Sequence, residues 1–439
     1  MLESKKILVL GMARSGYHVA KLLADKNEII VTDKNEQRKE LVSELESLGV
    51  TFIKSETGEE ILNNEFDLLI KNPGIEPTHP CVKKAISLNI PIVKEMEVAY
   101  HYLPKNVKII GITGSNGKTT TTTILYNLLK LHNIDVVLGG NIGYPLSEIV
   151  NTVNENSVLV LEISDHQLYN LNDFKTDISI LTNLCPTHLD FHGTYENYIN
   201  VKKKIFNHHS ELNKAFINSK NVDSLKITED INSARIYFNN DTNYYNEEGI
   251  FVDNELVIKL SDIKIKGCHN YENILVSLVV LKEFSFDKDI IKNYLSIFNG
   301  VEHRIEVVDS NSNIEFYNDS KATNPTSTLT ALKTMTKPTR LILGGMERNQ
   351  DFNELNDEIK IVKCIYAIGE VTDRLEEYAK KINVDCIKCY TLEKALLKIK
   401  EDAKDNEAVL LSPASASWDQ YDKFETRGEE FKNLVEKLF

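Results

Sequence analysis

The chain has 439 residues, of which 42% are hydrophobic and 26% charged, and this predicts a globular protein of about three domains. Its 65 acidic and 51 basic residues give a net charge of −14, which argues against nucleic acid and anionic membranes as partners. No apolar run approaches the roughly 20 residues of a membrane span, so no membrane partner is expected.

The first block of the chain alternates apolar strands with helical segments. Strands are predicted at residues 6–10, 29–32 and 66–70, with an amphipathic helix at residues 35–48. Such alternation predicts a parallel sheet with helices on both faces, and ligands bind these sheets beyond the carboxyl ends of the strands. The segments found at those ends are polar or glycine-rich: 11–16, Asp33 and 72–74.

A dinucleotide-binding motif is one interpretation of residues 11–16. The segment reads Gly-Met-Ala-Arg-Ser-Gly and lacks the middle glycine of the G-x-G-x-x-G pattern. Asp33 follows about 20 residues on, where an acidic group binds a ribose or a base. Three alternatives remain open at this point: NAD(P), some other nucleotide-like ligand, which the pattern favours, and a purely structural turn.

The second block opens with a phosphate-binding loop. The apolar run 109–112 leads into a glycine-rich turn and a helical pattern, so backbone N–H groups and a helix N-terminus face an anion. Lys118 is expected to reach the terminal phosphates of ATP or GTP, and the Thr119 hydroxyl to bind Mg²⁺. The spacing departs from the strict motif, since Ile112 stands where the first glycine belongs. The residues assigned to the nucleotide are Gly114, Ser115, Asn116, Gly117, Lys118, Thr119 and Thr120.

Further groups along this block could hold a metal. Glu162 ends an apolar strand, where a nucleotide site needs a second Mg²⁺ anchor, and the less favoured alternative is a strand cap that faces solvent. His188, Asp190 and His192 share one side of the chain if it is extended, and a metal site or ordinary loop histidines remain open. The lysine run 202–204 is typical of a solvated helix face.

Beyond these groups, the polar stretch 220–262 predicts short antiparallel strands, and helices are expected at residues 270–284 and 287–298.

The third block alternates strand and helix again and carries polar clusters at the ends of its strands. Its strands are predicted at 314–317, 340–343, 365–368 and 409–411. Arg348, after a Gly-Gly turn, is a natural bidentate partner for a carboxylate, and the hydroxyls of residues 412–417 offer neutral donors. These residues predict a receptor for a small acid.

The six cysteines are scattered, which fits a reducing compartment, and no signal peptide is recognisable, so the cytoplasm is the expected location. Cys386 and Cys389 form a lone C-x-x-C pair that falls on opposite faces of a strand. A zinc or redox role is therefore not favoured.

Taken in order, these motifs resemble those of the Mur ligases of peptidoglycan synthesis over essentially the whole chain. The phosphate loop with its extra residue is that family's own form. The other matching segments are residues 140–143, 188–190, 267–273, 303–304, 318–324 and 412–420. The last two of these segments are the most specific for members that add D-glutamate.

The resemblance implies an α/β protein of three domains and an amide-forming reaction. Residues 1–94 would be a Rossmann-like domain for the UDP substrate, 95–300 a central P-loop ATPase-type parallel sheet, and 301–439 a Rossmann-like domain for the amino acid. ATP would phosphorylate the carboxylate of UDP-N-acetylmuramoyl-L-alanine, and the amine of D-glutamate would attack the acyl phosphate. The implied cofactors are ATP and Mg²⁺, and a monomer is expected.

The resemblance also assigns roles to individual residues. Thr119 and Glu162 would hold one Mg²⁺, and His188 and a carbamylated Lys202 a second, with Lys203 as the alternative register. ATP would also contact Asn273, Arg304 and Asp319. D-Glutamate would be enclosed by Lys321, Thr323, Arg348, Ser417 and Phe424. The UDP-linked substrate would be held by Arg14, Ser15, Asp33, Lys34, Asn72, Gly74 and, at its muramoyl-alanine arm, Asn141.

Two departures from the family pattern stand out. Asp165 and His166 occupy positions where the family usually has serine and phenylalanine, and the sequence assigns them no role. Arg348 stands where some members have lysine, which keeps the charge but changes the donor geometry. Competing interpretations are a sister Mur ligase or folylpolyglutamate-type synthetase, a nucleotide-binding regulatory protein, and an NAD-dependent dehydrogenase.

Overall fold

The computed structural model describes residues 2–169 and 171–439 and divides into two compact units, residues 1–296 and 297–439. Each unit is built on parallel β-sheet with helices, as the alternation predicted. Within the described residues, no helix is both long and apolar enough to cross a membrane. The predicted domain boundaries after residues 94 and 300 stay predictions.

The first sheet of unit 1 has five parallel strands in the order β3-β2-β1-β4-β5. Its strands are β1 (Lys6–Leu10), β2 (Glu28–Asp33), β3 (Thr51–Lys54), β4 (Leu68–Lys71) and β5 (Ile92–Val93). Its helices are α1 (Arg14–Leu23), α2 (Lys39–Ser47), α3 (Pro80–Ser87) and α4 (Glu95–Tyr100). Helix α2 begins later than predicted because Asp33 Oδ1 accepts the Asn35 N–H at 2.9 Å and so holds a turn there.

The second sheet of unit 1 has six parallel strands in the order β11-β10-β9-β6-β8-β7. The strands are β6 (Lys108–Thr113), β7 (Val136–Gly140), β8 (Val158–Glu162), β9 (Ile178–Leu181), β10 (Lys214–Asn218) and β11 (Ala234–Phe238). The helices are α5 (Lys118–Leu131), α6 (Leu146–Ile149), α7 (Asp165–Leu168), α8 (Leu189–His192), α9 (Tyr195–Lys203) and α10 (Val222–Ile227). Strands β6, β8 and β9 are almost wholly buried, as expected for apolar runs covered on both faces.

Only part of the polar stretch 220–262 forms the predicted antiparallel strands. A three-stranded antiparallel sheet comprises β12 (Tyr244–Tyr245), β13 (Gly249–Val252) and β14 (Glu255–Lys259). The prediction was wrong for β11, because that segment extends the large sheet by pairing in parallel with β10. Helices α11 (Cys268–Leu281) and α12 (Lys288–Ile297) follow, close to the predicted positions.

Unit 2 contains a six-stranded sheet in the order β15-β16-β20-β17-β18-β19, with only β15 antiparallel to its neighbour. Its strands are β15 (Glu306–Val308), β16 (Glu315–Asn318), β17 (Thr339–Gly344), β18 (Val362–Ile368), β19 (Asp385–Tyr390) and β20 (Ala408–Leu411). Its helices are α13 (Pro325–Leu332), α14 (Thr372–Ile382), α15 (Leu392–Asp402) and α16 (Phe424–Leu438). Two apolar cores include side chains from these strands, and the four predicted strands are all present.

Candidate active site

The turn between β6 and α5 has the backbone of a phosphate loop. Gly114 and Gly117 have φ values of +145° and +80°, which residues other than glycine rarely adopt. A Cβ at Gly114 would lie 2.0 Å from Thr182 Oγ1, and one at Gly117 would lie 2.2 Å from Asn273 Oδ1. Lys118 Nζ donates to the carbonyls of Gly114 and Ser115 at 2.8 and 2.9 Å, so this cation lies over the loop.

Glu162 ends the strand beside the loop strand, in register with Ile112, and is 1% exposed. Its Oε1 accepts a 2.7 Å hydrogen bond from Asn141, while its Oε2 is buried and has no hydrogen-bond partner. A buried carboxylate oxygen without a donor is suited to a cation. Thr119, 4% exposed at the start of α5, offers a hydroxyl oxygen. These residues fit Mg²⁺.

Lys202 is fully buried on α9, whereas its neighbour Lys203 is partly exposed and pairs with Asp230 at 2.6 Å. Lys202 Nζ donates to Thr113 Oγ1 at 3.0 Å and lies 3.6 Å from Asp165 Oδ1. Burial lowers the pKa of Lys202 to about 7, with the charge of Lys118 acting in the same direction and Asp165 opposing both. The solvated-face interpretation of the lysine run is therefore wrong for Lys202.

Asp165 lies among histidines from two segments. Its Oδ2 is 2.7 Å from His192 Nε2 and 3.1 Å from His166 Nδ1, and the rings of His166 and His188 are 5.4 Å apart. Burial acts to raise the pKa of Asp165, but its hydrogen bonds to both histidines and the charge of Lys202 outweigh burial and hold that pKa far below its usual range. Sequence reasoning left Asp165 and His166 without a role, and their departure from the family pattern was the available signal.

Residues 189–192 form the short helix α8, so the extended arrangement considered for residues 188–192 does not apply. His188 stands before this helix in the left-handed conformation, with φ +52°, and the buried side chain of His192 contacts Asp165. The side chain of Asp190 lies outside the described residues.

A cavity of about 390 Å³ lies at the carboxyl ends of the first sheet. Among its lining residues are four of the predicted UDP-site residues: Asp33, Lys34, Asn72 and Gly74. Asp33 shapes the wall, since its Oδ2 accepts the Met12 N–H at 2.8 Å.

The other two predicted UDP-site residues, Arg14 and Ser15, are not among the residues that line this cavity. Ser15 Oγ accepts from Asn72 Nδ2 at 3.2 Å. Arg14 pairs with Glu148 at 2.9 Å and lies over the Tyr144 ring, 4.5 Å from its centroid. Arg14 thus contacts the segment that follows Asn141 in the chain.

The residues predicted to contact ATP lie in both units. Asn273 on α11 is in unit 1 beside the phosphate loop, where its Oδ1 accepts from Thr121 Oγ1 at 3.3 Å. Asp319 and Arg304 are both in unit 2. Burial raises the pKa of Asp319 to about 7, against the hydrogen bond from Ser412 and the charge of Arg304.

The residues predicted to enclose the amino acid all belong to unit 2. Ser417 is 1% exposed and its Oγ has no hydrogen-bond partner, so it is a donor available to a ligand. The Arg348 guanidinium lies over the Trp418 ring, 4.5 Å from its centroid. Lys321 and Thr323 share a turn closed by a 2.9 Å backbone hydrogen bond, and the Phe424 carbonyl accepts from Ser320 Oγ at 2.8 Å.

Sequence reasoning missed Arg427, a fully buried residue of α16. Its guanidinium donates to the hydroxyl and carbonyl of Ser320 at 3.0 and 2.9 Å and to the Ser415 carbonyl at 3.2 Å. It therefore ties together the two segments that carry Lys321 and Ser417. No pattern signalled this residue, because an arginine on an amphipathic helix normally faces solvent.

A glycine-rich loop before a helix, with a buried carboxylate on the neighbouring parallel strand, defines a P-loop nucleotide-binding protein. Three family models match the chain: the Mur ligase MurD-like N-terminal domain over residues 5–94, the Mur ligase middle domain over 112–281, and the Mur ligase glutamate ligase domain over 303–415. The chain belongs to the Mur ligase family, and it is an ADP-forming ligase.

Relatives agree with this assignment, and solved structures agree with the fold. UDP-N-acetylmuramoylalanine--D-glutamate ligases from Geobacillus kaustophilus and Oenococcus oeni are 36% and 37% identical, each over 99% of this chain and 98% and 97% of their own lengths. The structure of UDP-N-acetylmuramate-alanine ligase MurC from Thermotoga maritima is similar in fold, with a TM-score of 0.59, 16% identity and 98% coverage of both chains. MurF ligase from Thermotoga maritima, solved in complex with ADP, has a TM-score of 0.55 and 20% identity over 99% of this chain and 96% of its own.

Proposed function

We propose that this protein is the cytoplasmic ligase that joins D-glutamate to UDP-N-acetylmuramoyl-L-alanine with hydrolysis of ATP to ADP and phosphate, and that it acts as a monomer. The observation that carries the chemistry is that Lys118, Glu162 and Lys202 all lie beside the phosphate loop or the strand that leads into it. The choice of substrates is supported by relatives that bear this name and match 99% of the chain.

In the first step, the loop binds the triphosphate and the substrate carboxylate attacks its γ-phosphorus, so that an acyl phosphate forms and ADP leaves. Lys118 exchanges its bonds to the Gly114 and Ser115 carbonyls for phosphate oxygens. Thr119 and Glu162 would hold Mg²⁺, which neutralises phosphate charge when bound. Such transfer depends mostly on positioning and charge neutralisation. Asn141, bonded to Glu162, positions the alanyl arm beside the nucleotide.

Lys202 is the second anionic group that we propose for this site. Its lowered pKa leaves part of the amine neutral near pH 7, and a neutral amine can add CO₂ to become a carbamate. Together with His188 this carbamate would hold a second cation. The distance of 3.0 Å from Lys202 Nζ to Thr113 Oγ1 supports this role, since it places the amine next to the residue that precedes the phosphate loop.

In the second step, the amine of D-glutamate attacks the acyl carbon, and phosphate leaves to give the amide. Arg348 and Lys321 would bind the carboxylates of the incoming acid, with the unpartnered Ser417 hydroxyl as a neutral donor. Thr323 and Phe424 would complete the pocket. Asp33, Lys34, Asn72 and Gly74 would hold the uridine diphosphate in the cavity of the first sheet, with Arg14 and Ser15 at its edge.

The test is ADP release with UDP-N-acetylmuramoyl-L-alanine and a panel of D- and L-amino acids. We expect turnover with D-glutamate and little with L-glutamate or L-alanine. Lys118→Ala serves as the inactive control, because one cation at a transferring phosphoryl group contributes about 10²–10³ in rate. Preference for another amino acid would indicate a sister ligase, and full activity of Lys118→Ala would contradict the nucleotide site.

A further inference from the structure

We propose that Asp165, His166 and His188 form a binding site for a divalent first-row transition-metal ion. One ligand atom from each residue lies within 4.8 Å of the others. The inference concerns metal binding to the nucleotide-free protein and does not rest on the proposed reaction.

The spacing of the ligand atoms suits coordination to one ion. Ligands of such ions bind at about 2.0–2.2 Å, so two ligands at a right angle lie about 3 Å apart. Asp165 Oδ2 and His166 Nδ1 are 3.1 Å apart. The rings of His166 and His188 are nearly perpendicular, with centroids 5.4 Å apart.

The carboxylate of this cluster is held by residues behind it. His192, whose side chain is fully buried, lies 2.7 Å from Asp165 Oδ2, and Lys202 Nζ lies 3.6 Å from Oδ1. Ligating carboxylates are themselves commonly hydrogen-bonded, which fixes their orientation. Asp165 is 3% exposed while His188 is exposed, so the cluster has a rigid inner side and an accessible outer side.

The donor set selects the class of ion. Mg²⁺ prefers oxygen ligands and retains several waters, whereas two imidazoles and one carboxylate favour Mn²⁺, Fe²⁺, Co²⁺ or Zn²⁺. The oxygen donors of Thr119 and Glu162 fit Mg²⁺ by the same criterion. The Asp165 cluster therefore differs in chemistry from the oxygen donors at the phosphate loop, and it shares His188 with the second cation proposed above.

Two other groupings of potential ligands within the described residues contain only one histidine each. In the first, Glu97 accepts the backbone N–H groups of Asn172 and Asp173 at 3.0 and 2.7 Å. In the second, Glu302 and Glu429 both pair with Lys432, at 2.9 and 2.7 Å. The Asp165 cluster differs from both because it brings two imidazoles to one carboxylate.

The experiment is titration of the full-length, nucleotide-free protein with Co²⁺, followed by visible d–d absorption and by calorimetry. We expect one Co²⁺ per chain with a spectrum typical of imidazole ligands, and little displacement by excess Mg²⁺. The variant Asp165→Ser/His166→Phe restores the residues usual in the family, and it should bind Co²⁺ at least about 100-fold more weakly. The single variant His166→Phe, at a half-buried position, provides a milder test of the same loss.

His208→Phe is the matched control, since this exposed histidine belongs to none of the three groupings, and it should bind Co²⁺ like the wild type. Unchanged Co²⁺ affinity and spectrum in Asp165→Ser/His166→Phe would overturn the proposal. Complete displacement of Co²⁺ by Mg²⁺ would also overturn it, because it would place the ion among the oxygen donors of the phosphate loop. Neither result bears on ADP release, so the proposed function is tested separately.

Discussion

Lys202 Nζ donates a 3.0 Å hydrogen bond to Thr113 Oγ1, which joins the end of helix α9 to the last residue of strand β6. The same helix contributes Tyr198, whose hydroxyl lies 2.8 Å from Ser115 Oγ in the phosphate loop. Helix α9 therefore contacts both the strand before the loop and the loop itself. We therefore expect a change at Lys202 to act directly on the proposed nucleotide site.

We predict that Lys202→Ala loses ligase activity and that short carboxylates restore part of it. The added acid would replace the anionic carbamate in the space left by the side chain. The measurement is ADP release with and without acetate or formate. Lys203→Ala is the matched control and should remain active, since Lys203 is partly exposed and pairs with Asp230. Full activity of Lys202→Ala together with rescue of Lys203→Ala would move the carbamate to Lys203.

We predict that Gly117→Ala raises the KM for ATP at least about 10-fold, because the new methyl group would lie 2.2 Å from Asn273 Oδ1 at a φ of +80°. Gly49→Ala is a closely matched control. Gly49 has a φ of +81°, but nothing lies within 4 Å of its Cβ position. Both variants should lose roughly 1 kcal/mol of stability through backbone strain. An equal effect of both on the KM for ATP would show that strain, and not the contact with Asn273, is responsible.

The central parts of each sheet were predictable from the sequence, and several of their edges were not. Strands β6, β8 and β17 are nearly fully buried, and each contains an apolar run, as expected where neighbouring layers cover both faces. Strands β3, β5 and β15 lie at sheet edges, are short and are largely half-exposed, so they lack the longer apolar run that marks a buried strand. Strand β11, also at an edge, was predicted to be antiparallel, but it pairs in parallel with β10.

The candidate site was predictable where one continuous motif carries it, as in the phosphate loop. It was not predictable where side chains meet from distant segments. Asp165, His192 and Lys202 come from three helices, and periodicity within each helix gives no distance between them. Arg427 contacts Ser320, 107 residues away in the chain, and nothing in the helix pattern indicates that contact.

We predict that Lys94→Met raises the melting temperature at pH 7. Lys94 is fully buried, and burial together with the charge of Lys71 lowers its pKa to about 6 from the ordinary 10.5. Between these values the unfolded chain binds a proton that the folded chain releases, so stability rises with pH across this window. At pH 7 the release of this proton on folding lowers the free energy of unfolding by on the order of a few kcal/mol, since each pKa unit corresponds to about 1.4 kcal/mol.

The check is thermal unfolding of both proteins at several pH values between 7 and about 10. The advantage of Lys94→Met should shrink as the pH rises, because the penalty it removes disappears near the unfolded pKa. Lys105→Met, at an exposed position, should change the melting temperature little at any pH. A constant difference in melting temperature between wild type and Lys94→Met across this pH range would contradict the lowered pKa of Lys94.

We predict that Arg348→Ala raises the KM for D-glutamate about 10- to 100-fold and leaves the KM for ATP nearly unchanged. A charge-assisted hydrogen bond between arginine and a carboxylate contributes roughly 1.5–3 kcal/mol, and each 1.4 kcal/mol corresponds to a factor of ten. Arg348→Lys should show a smaller rise, because it keeps the charge but loses the planar donor pair.

Trp418 provides an independent readout of the same pocket, as it is the single tryptophan of the chain and lies against the Arg348 guanidinium. Binding of D-glutamate should change its fluorescence in the wild type, and this change should need a higher concentration of D-glutamate in Arg348→Ala. Trp418→Leu should raise the KM for D-glutamate by a smaller factor, since it removes only the stacking contact that holds the guanidinium. An unchanged KM for D-glutamate in Arg348→Ala, or an equal rise in the KM for ATP, would place the acid pocket elsewhere and favour a sister ligase.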